Sequence, residues 1–185
     1  MNDYLKMFMG FDGRLNRQRF WLGVIGLIVA SIVVSMILGS IFGVQMFNFA
    51  MVALQPDADP AAMALMATNM MKTSGWVSLV ALIILAYPGM ALWMKRAHDR
   101  DSNGQLVYVF YGLLALSYVL QGLGLTVGTM DIGGVSYPSI NTIGWILSVA
   151  SGLLGLYLLI TLGFLKGTSG PNTYGPDPLG AKAAA

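Results

Sequence analysis

The segment MKRAHDRDSNG, from Met94 to Gly104, concentrates the residue types that could do chemistry. It holds five charged side chains and the only histidine of the chain. His98 next to Asp99 could serve as an acid–base pair, but neighbouring residues on a helical turn point in different directions, and the chain has no G-x-S-x-G motif to present a nucleophile. One histidine and no cysteine also exclude a metal site built from imidazole or thiolate ligands. The pattern therefore predicts a structural role for these charges, with no catalytic residue, metal or cofactor.

The composition indicates the elements that must position this segment. Of the 185 residues, 56% are hydrophobic and only 10% are charged, which exceeds what one soluble core could bury. A bilayer core of about 30 Å requires roughly 20 apolar residues per helix. The net charge of +2 is too small to favour nucleic acid as a partner. Four stretches meet the length criterion and predict transmembrane helices: 20–44, 76–94, 105–127 and 142–165.

The basic residues predict the orientation of these spans. All except Lys72 lie in the arm 1–19, the turn 95–104 and the tail 166–185, or at their borders. Because Lys and Arg near a span resist translocation, these three segments are expected in the cytosol. The segments 45–75 and 128–141 are then expected in the periplasm.

The predicted fold is an all-α integral membrane protein, a bundle of four transmembrane helices with both termini inside. A short N-terminal helix in the membrane interface and a longer periplasmic loop between helices 1 and 2 complete it. Asn16 is the predicted N-cap of the first span, and Asp59 followed by Pro60 predicts a helix start in the loop. The methionines that follow Pro60 are soft ligands, so copper(I) binding there stays an open alternative.

Small residues at four-residue spacing predict how the fourth span packs. Gly144, Ser148 and Gly152 would allow close helix contact, within the bundle or in a homo-oligomer. For transport, ionisable groups inside the spans would be expected, but the chain has no glutamate and offers only Gln121 and scattered hydroxyls.

The order of several motifs resembles the bacterial inner-membrane family called domain of unknown function 805. These motifs are FDGRLNRQRFW before the first span, Pro88 in the second, KRAHDRDSNG after it and GPNTYGPDP in the tail. The resemblance implies a four-span protein of the inner, cytoplasmic membrane with no assigned reaction. Ala97 and Gln105 replace the leucine and tryptophan usual in the family. The matching positions are Phe11, Gly13, Arg14, Arg17, Phe20, Trp21, Arg96, His98, Asp99, Gly104, Gly170, Asn172, Tyr174, Gly175, Asp177 and Pro178.

Three motifs should meet at the cytosolic surface and form one polar cap. Asp99 and Asp177 are expected to face Arg14, Arg17 or Arg96, because a partly buried acid needs a partner. The alternative is three solvated segments whose bases meet lipid phosphates. The predicted members of the polar cap are Arg14, Arg17, Arg96, His98, Asp99, Asn172, Tyr174 and Asp177.

The absence of a catalytic set beside an organised polar surface favours a non-enzymatic role. The protein is interpreted as an accessory, scaffold or assembly subunit whose partners are anionic lipid headgroups and a membrane protein or further copies of itself. The alternatives are a small oligomeric transporter or channel and, more weakly, an enzyme acting on lipid headgroups.

Overall fold

The computed structural model describes residues 3–42 and 59–180. Four of its helices are long and apolar enough to cross a membrane, those that begin at Arg17, Pro60, Gln105 and Thr142. This confirms the expected helical membrane protein at the level of its spans. The elements in chain order are α1 (Asp3–Lys6), α2 (Arg17–Ile41), α3 (Pro60–His98), α4 (Gln105–Gly122), β1 (Val127–Ile132), β2 (Val135–Ile140) and α5 (Thr142–Leu158), which continues as a π-helical segment (Leu159–Phe164).

Short polar side chains begin the long helices. The carboxamide oxygen of Asn16 accepts the N–H of Arg19 at 2.9 Å, and the carboxylate of Asp59 accepts the N–H of Ala61 at 3.0 Å. Both N-caps are as the sequence predicts, since these side chains satisfy N–H groups that have no partner inside the helix.

The helix α3 is much longer than the predicted second span. It begins at Pro60 rather than Trp76 and runs through Pro88 to His98 without a break. Its 39 residues extend about 58 Å at 1.5 Å per residue, roughly twice the thickness of a bilayer core. The helix start predicted at Pro60 within the segment 45–75 is confirmed, but this helix continues without a break into the second span instead of ending in the loop. The part of the loop before residue 59 lies outside the described residues.

A β-hairpin that was not predicted is added to the helical fold and corrects the boundaries around the third span. Helix α4 ends at Gly122, and the segment predicted as the loop 128–141 forms most of two antiparallel strands in which Val127 pairs with Ile140. Gly133 and Gly134 make the turn with φ values of 62° and 84°. This geometry suits a two-residue hairpin, whose central residues both need positive φ.

The chain divides into two compact units, and the polar cap belongs entirely to one of them. That unit comprises Met1–Ile32, Ile83–Gly112 and Gly152–Ala185. Its core centres on apolar side chains that are completely buried, and α2 packs closely on α3 where Gly23 meets Leu92. Phe20, Leu92 and Val107 each have 0% exposure.

The other unit comprises Val33–Leu82 and Leu113–Ser151, and so includes the hairpin. Here α3 and α4 approach closely, because a Cβ atom on Gly75 would lie 2.5 Å from the backbone nitrogen of Gly122. The amide of Gln121 donates to the carbonyl of Met71 and to the hydroxyl of Ser74, both at 3.1 Å. The polar group predicted inside the third span therefore links two helices.

Candidate functional site

Arg14 connects the arm to both other segments of the polar cap. Its Nε donates to Asp99 Oδ1 at 3.1 Å. Its terminal nitrogens donate to the carbonyls of Thr168 and Gly170, each at 2.6 Å, and more weakly to that of Gly175 at 3.3 Å. The guanidinium suits this position because its several N–H donors diverge in one plane.

Asp99 lies between two arginines. One carboxylate oxygen accepts from Arg14 and the other from Arg96, and the Asp99 side chain is only 5% exposed. The Asp99 carbonyl also accepts the N–H of Thr168 at 2.8 Å and its hydroxyl at 3.1 Å. Gly167 lies so close to this carboxylate that any side chain there would collide with it.

Arg96 is fully buried and connects the turn to the last helix. Its side chain has 0% exposure. Besides Asp99, it donates to the carbonyls of Leu162 at 2.6 Å and Leu165, and to that of Leu15 at 3.4 Å. Two buried guanidinium groups thus share one carboxylate, and backbone carbonyls offset the remaining positive charge.

The carbonyls of Leu162 and Leu165 belong to the C-terminal end of the last helix, where the final turns leave carbonyl groups without helical partners and the helix dipole is negative. Three further side chains bind there. Trp21 Nε1 donates to the Gly163 carbonyl at 3.0 Å, and Arg17 to the Phe164 carbonyl at 3.1 Å. Arg100 donates to the carbonyl of Thr161. Donors from the start of α2 and from the turn therefore hold the π-helical segment in place.

His98 joins the turn to the tail through its ring and its backbone. The ring stacks on Tyr174 with centroids 3.9 Å apart and planes 4° from parallel. The amide of Asn172 donates to the His98 carbonyl and to the Thr168 hydroxyl, both at 2.8 Å. His98 Nδ1 lies 3.3 Å from the Gly13 carbonyl. The histidine is therefore used for packing between all three segments.

Of the two acids expected to face Arg14, Arg17 or Arg96, Asp99 does so, whereas Asp177 forms no ion pair with these arginines among the described residues. The carboxylate of Asp177 accepts the N–H of Leu179 at 2.9 Å and that of Gly170 at 3.0 Å, so it organises the tail's own turn. These two bonds, Leu179 first, lower the pKa of Asp177 below its ordinary value of 3.8. The Arg17 guanidinium donates to a backbone carbonyl instead of an acid. Asp177 therefore pairs with nearby backbone N–H groups, and Arg17 with the end of the last helix, rather than with side chains of opposite charge.

The predicted packing face of the fourth span is wrong within this chain. Ser148 is exposed, and a Cβ atom on Gly152 would meet nothing within 4 Å. Gly144 does pack closely, but against the hairpin, since a Cβ atom there would lie 2.5 Å from Ile140 Cγ2. Other glycines of this helix do meet neighbouring helices: a Cβ atom would lie 2.8 Å from the Trp21 ring at Gly163 and 3.1 Å from the Phe110 ring at Gly155.

The main acceptors in this site could not be recognised from the sequence. They are backbone carbonyls of the last helix, which any residue type supplies equally. Lys95 likewise binds the carbonyls of Lys6 and Met9, and Thr168 was not among the predicted members of the polar cap. Only the excess of basic over acidic residues in the arm and the turn could have indicated that uncharged acceptors were needed.

The arrangement holds three segments together and pairs its buried charges. Within residues 3–42 and 59–180, every buried side-chain nitrogen or oxygen has a hydrogen-bond partner. In the same ranges, no three His, Cys, Asp or Glu side chains lie together in a way that could hold a metal ion.

Comparison with known proteins gives one match. The family model described as "Protein of unknown function (DUF805)" matches residues 8–176, a range that includes all three motifs of the polar cap except the end of the tail. No curated protein and no solved structure shows significant similarity to the chain. The chain therefore belongs to the DUF805 family.

Proposed function

We propose that the chain is a non-enzymatic accessory or scaffold protein of the bacterial inner membrane, with both termini in the cytosol. Its polar cap is the working surface and acts through contacts with a membrane protein and with lipids. The distribution of basic residues supports this orientation, because all except Lys72 lie in the three segments that build the polar cap.

The observation that carries the proposal is how completely the buried charges at the centre of the polar cap are used. Arg14 and Arg96 both bind Asp99, and they also bind backbone carbonyls of the tail and of the last helix. A reacting group would need a free proton or lone pair, whereas these groups use theirs to hold three segments in one geometry. A preorganised surface of this kind suits a binding partner, because little ordering is left to be done on association.

The geometry of Gln121 argues against the transporter alternative. Its amide is bonded to Met71 and Ser74 of the neighbouring helix, so it contributes to helix association. Gln121, the main polar group within the spans that could have bound a solute, is therefore used for contact between helices.

The test is a comparison of the parent with Asp99→Asn and Gln121→Ala, each isolated from bacterial membranes in polymer-bounded native patches. We expect a stoichiometric membrane-protein partner with the parent and Gln121→Ala, and its loss with Asp99→Asn, since that change weakens the polar cap. Solute flux in proteoliposomes and phospholipid headgroup turnover should equal those of protein-free vesicles. Flux that Gln121→Ala removes, or turnover above that background, would replace this proposal by the transporter or the enzyme.

A further inference from the structure

Two adjoining cavities lie where α2 begins and the last helix ends. One has a volume of about 250 Å³ and the other about 470 Å³. Both are lined by Asn16, Arg17 and Leu179, so these residues form their common wall. All of the lining belongs to the unit that contains the polar cap. The two cavities are therefore adjacent, and we treat them as two compartments of one candidate site that share these side chains.

The smaller compartment is polar and cationic. Arg17 and Lys166 line it together with the hydroxyl-bearing Thr168 and Ser169. Arg17 is exposed and uses one of its five N–H donors on the Phe164 carbonyl. Arg96 and Asp99 also line it, but they are paired with each other. At roughly 30 Å³ per water, this volume holds about eight waters, which is room for a phosphate group.

Asp177 also lines the polar compartment, but its negative charge does not outweigh the positive charges of Arg17 and Lys166. Its carboxylate already accepts two backbone N–H groups of the tail. Arg17 and Lys166 are both exposed at their side chains, so their charges face the compartment and the solvent. The combination favours an anion that accepts several hydrogen bonds, as phosphate oxygens do.

The larger compartment is mainly apolar. Trp21, Phe164 and Leu179 line it, and Gly163 adds no side chain. Phe164 is 60% exposed and Leu179 57% exposed, so both present apolar surface to whatever surrounds the protein. The Trp21 ring is held in place from two sides, by its bond to the Gly163 carbonyl at 3.0 Å and by an edge contact with Phe164 at 5.4 Å.

The position of the two compartments along the helices indicates their depth relative to a bilayer. Arg17 is the first residue of α2, and Phe164 is the last residue of the helix that begins at Thr142. Both residues therefore mark the boundary between an apolar span and a polar segment. Bases and tryptophan at such a boundary lie at the depth of the lipid phosphates.

We infer that this site binds a single anionic phospholipid, with the phosphate in the polar compartment and the start of an acyl chain against Trp21, Phe164 and Leu179. The inference rests on the proposed function, because it requires the polar cap to lie at the membrane surface. It adds one defined lipid site to the general attraction between bases and anionic headgroups.

The test uses the full chain in mild detergent and counts bound lipids by native mass spectrometry. Dioleoyl phosphatidylglycerol and dioleoyl phosphatidylcholine are offered separately, and inorganic phosphate is added as a competitor. We expect one phosphatidylglycerol per chain to be retained in preference to phosphatidylcholine, and phosphate alone not to displace it. Arg17→Gln and Lys166→Gln should each weaken phosphatidylglycerol binding about fivefold, the effect of about one basic contact.

Arg19→Gln is the matched control. It removes the same charge two positions along the same helix, but Arg19 lines neither compartment. Binding by this variant should equal that of the parent. Leu179→Ser should weaken lipid binding through the apolar compartment while leaving the charge unchanged. Melting temperatures identify any variant that fails to fold, and because Lys166 is exposed, Lys166→Gln keeps the test available if Arg17→Gln does not fold.

Three outcomes would overturn the inference. They are equal retention of the two lipids, equal loss of binding in Arg19→Gln and Arg17→Gln, and displacement by equimolar inorganic phosphate, which would indicate a site for a free anion. The result is separable from the proposed function. Lipid preference without a protein partner would contradict only the accessory role, and a partner without lipid preference would contradict only this site.

Discussion

The polar cap and the β-hairpin are both polar or amphipathic segments beside membrane helices, yet they are stabilised in opposite ways. In the polar cap, residues far apart in sequence meet, as where Arg14 binds the Thr168 carbonyl at 2.6 Å. In the hairpin, close neighbours pair, as where Ile132 opposes Val135. The charged side chains at the centre of the cap are buried, whereas most of the hairpin residues are exposed. The cap therefore depends on tertiary contacts that the hairpin does not need.

Asp99→Ala should give the largest difference between the two regions. It leaves the buried guanidinium groups of Arg14 and Arg96 without their acid, so the free energy of unfolding should fall by about 3–5 kcal/mol. The matched change in the hairpin, Asp131→Ala, removes an exposed acid and should stay within about 0.5 kcal/mol. Unfolding by SDS in mixed micelles measures both. Equal effects would show that the cap charges are solvated.

Arg96→Lys should be the next largest effect. Lysine keeps the charge but cannot reach Asp99 and the carbonyls of Leu162 and Leu165 together, so we expect a loss of about 2–3 kcal/mol. Arg19→Lys is the control, because Arg19 is exposed. The same SDS titration applies. A harmless Arg96→Lys would mean that charge alone, rather than the shape of the guanidinium, holds the last helix.

Gly75→Ala tests the tight point in the unit that contains the hairpin. The new Cβ would lie 2.5 Å from the Gly122 backbone, so α3 and α4 must separate, at a cost of about 1–3 kcal/mol. Gly152→Ala is the comparison, since nothing lies within 4 Å of that Cβ position, and alanine should stabilise the helix by up to about 1 kcal/mol. Thermal melting in detergent measures both. Destabilisation by Gly152→Ala would instead point to a contact with another copy of the chain.

The smallest effect concerns the tail of the polar cap and depends on pH. Because the backbone N–H groups of Leu179 and Gly170 lower the pKa of Asp177 in the folded protein, the carboxylate stabilises the fold fully above its unfolded value of 3.8. This contribution is lost as the pH falls below 3.8 through the lowered folded pKa. The difference in melting temperature between the parent and Asp177→Asn should therefore shrink as the pH falls through this range. A difference in melting temperature that stays constant with pH would show that the charge of Asp177 does not stabilise the fold.

Several local features could be predicted because neighbouring residues determine them. The N-caps Asn16 and Asp59 were found from residue type and position, since a cap acts within three residues. The hairpin was missed although Gly133 and Gly134 between two alternating segments are its usual signal. In that case the sequence contained the information, and the expectation of a loop between spans outweighed it.

Other features could not be predicted from residue types. The length of α3 depends on where an apolar helix stops, and nothing in residues 60–75 forbids a helix. The packing role of Gly163 rather than Gly152 depends on which face of the last helix meets Trp21. Many glycine spacings can bring helices together, so the spacing alone does not choose the face.

The sequence by itself determined the four apolar helices found within residues 3–42 and 59–180, because spanning a bilayer requires length and apolarity, which are properties of a segment alone. It also supplied the charged residues of the polar cap. Only the tertiary structure decided that Asp99 binds Arg14 and Arg96, and that Arg17 and Arg100 bind the end of the last helix. The physical reason is that a guanidinium can donate either to a carboxylate or to a bare carbonyl, and the fold determines which of them lies within reach.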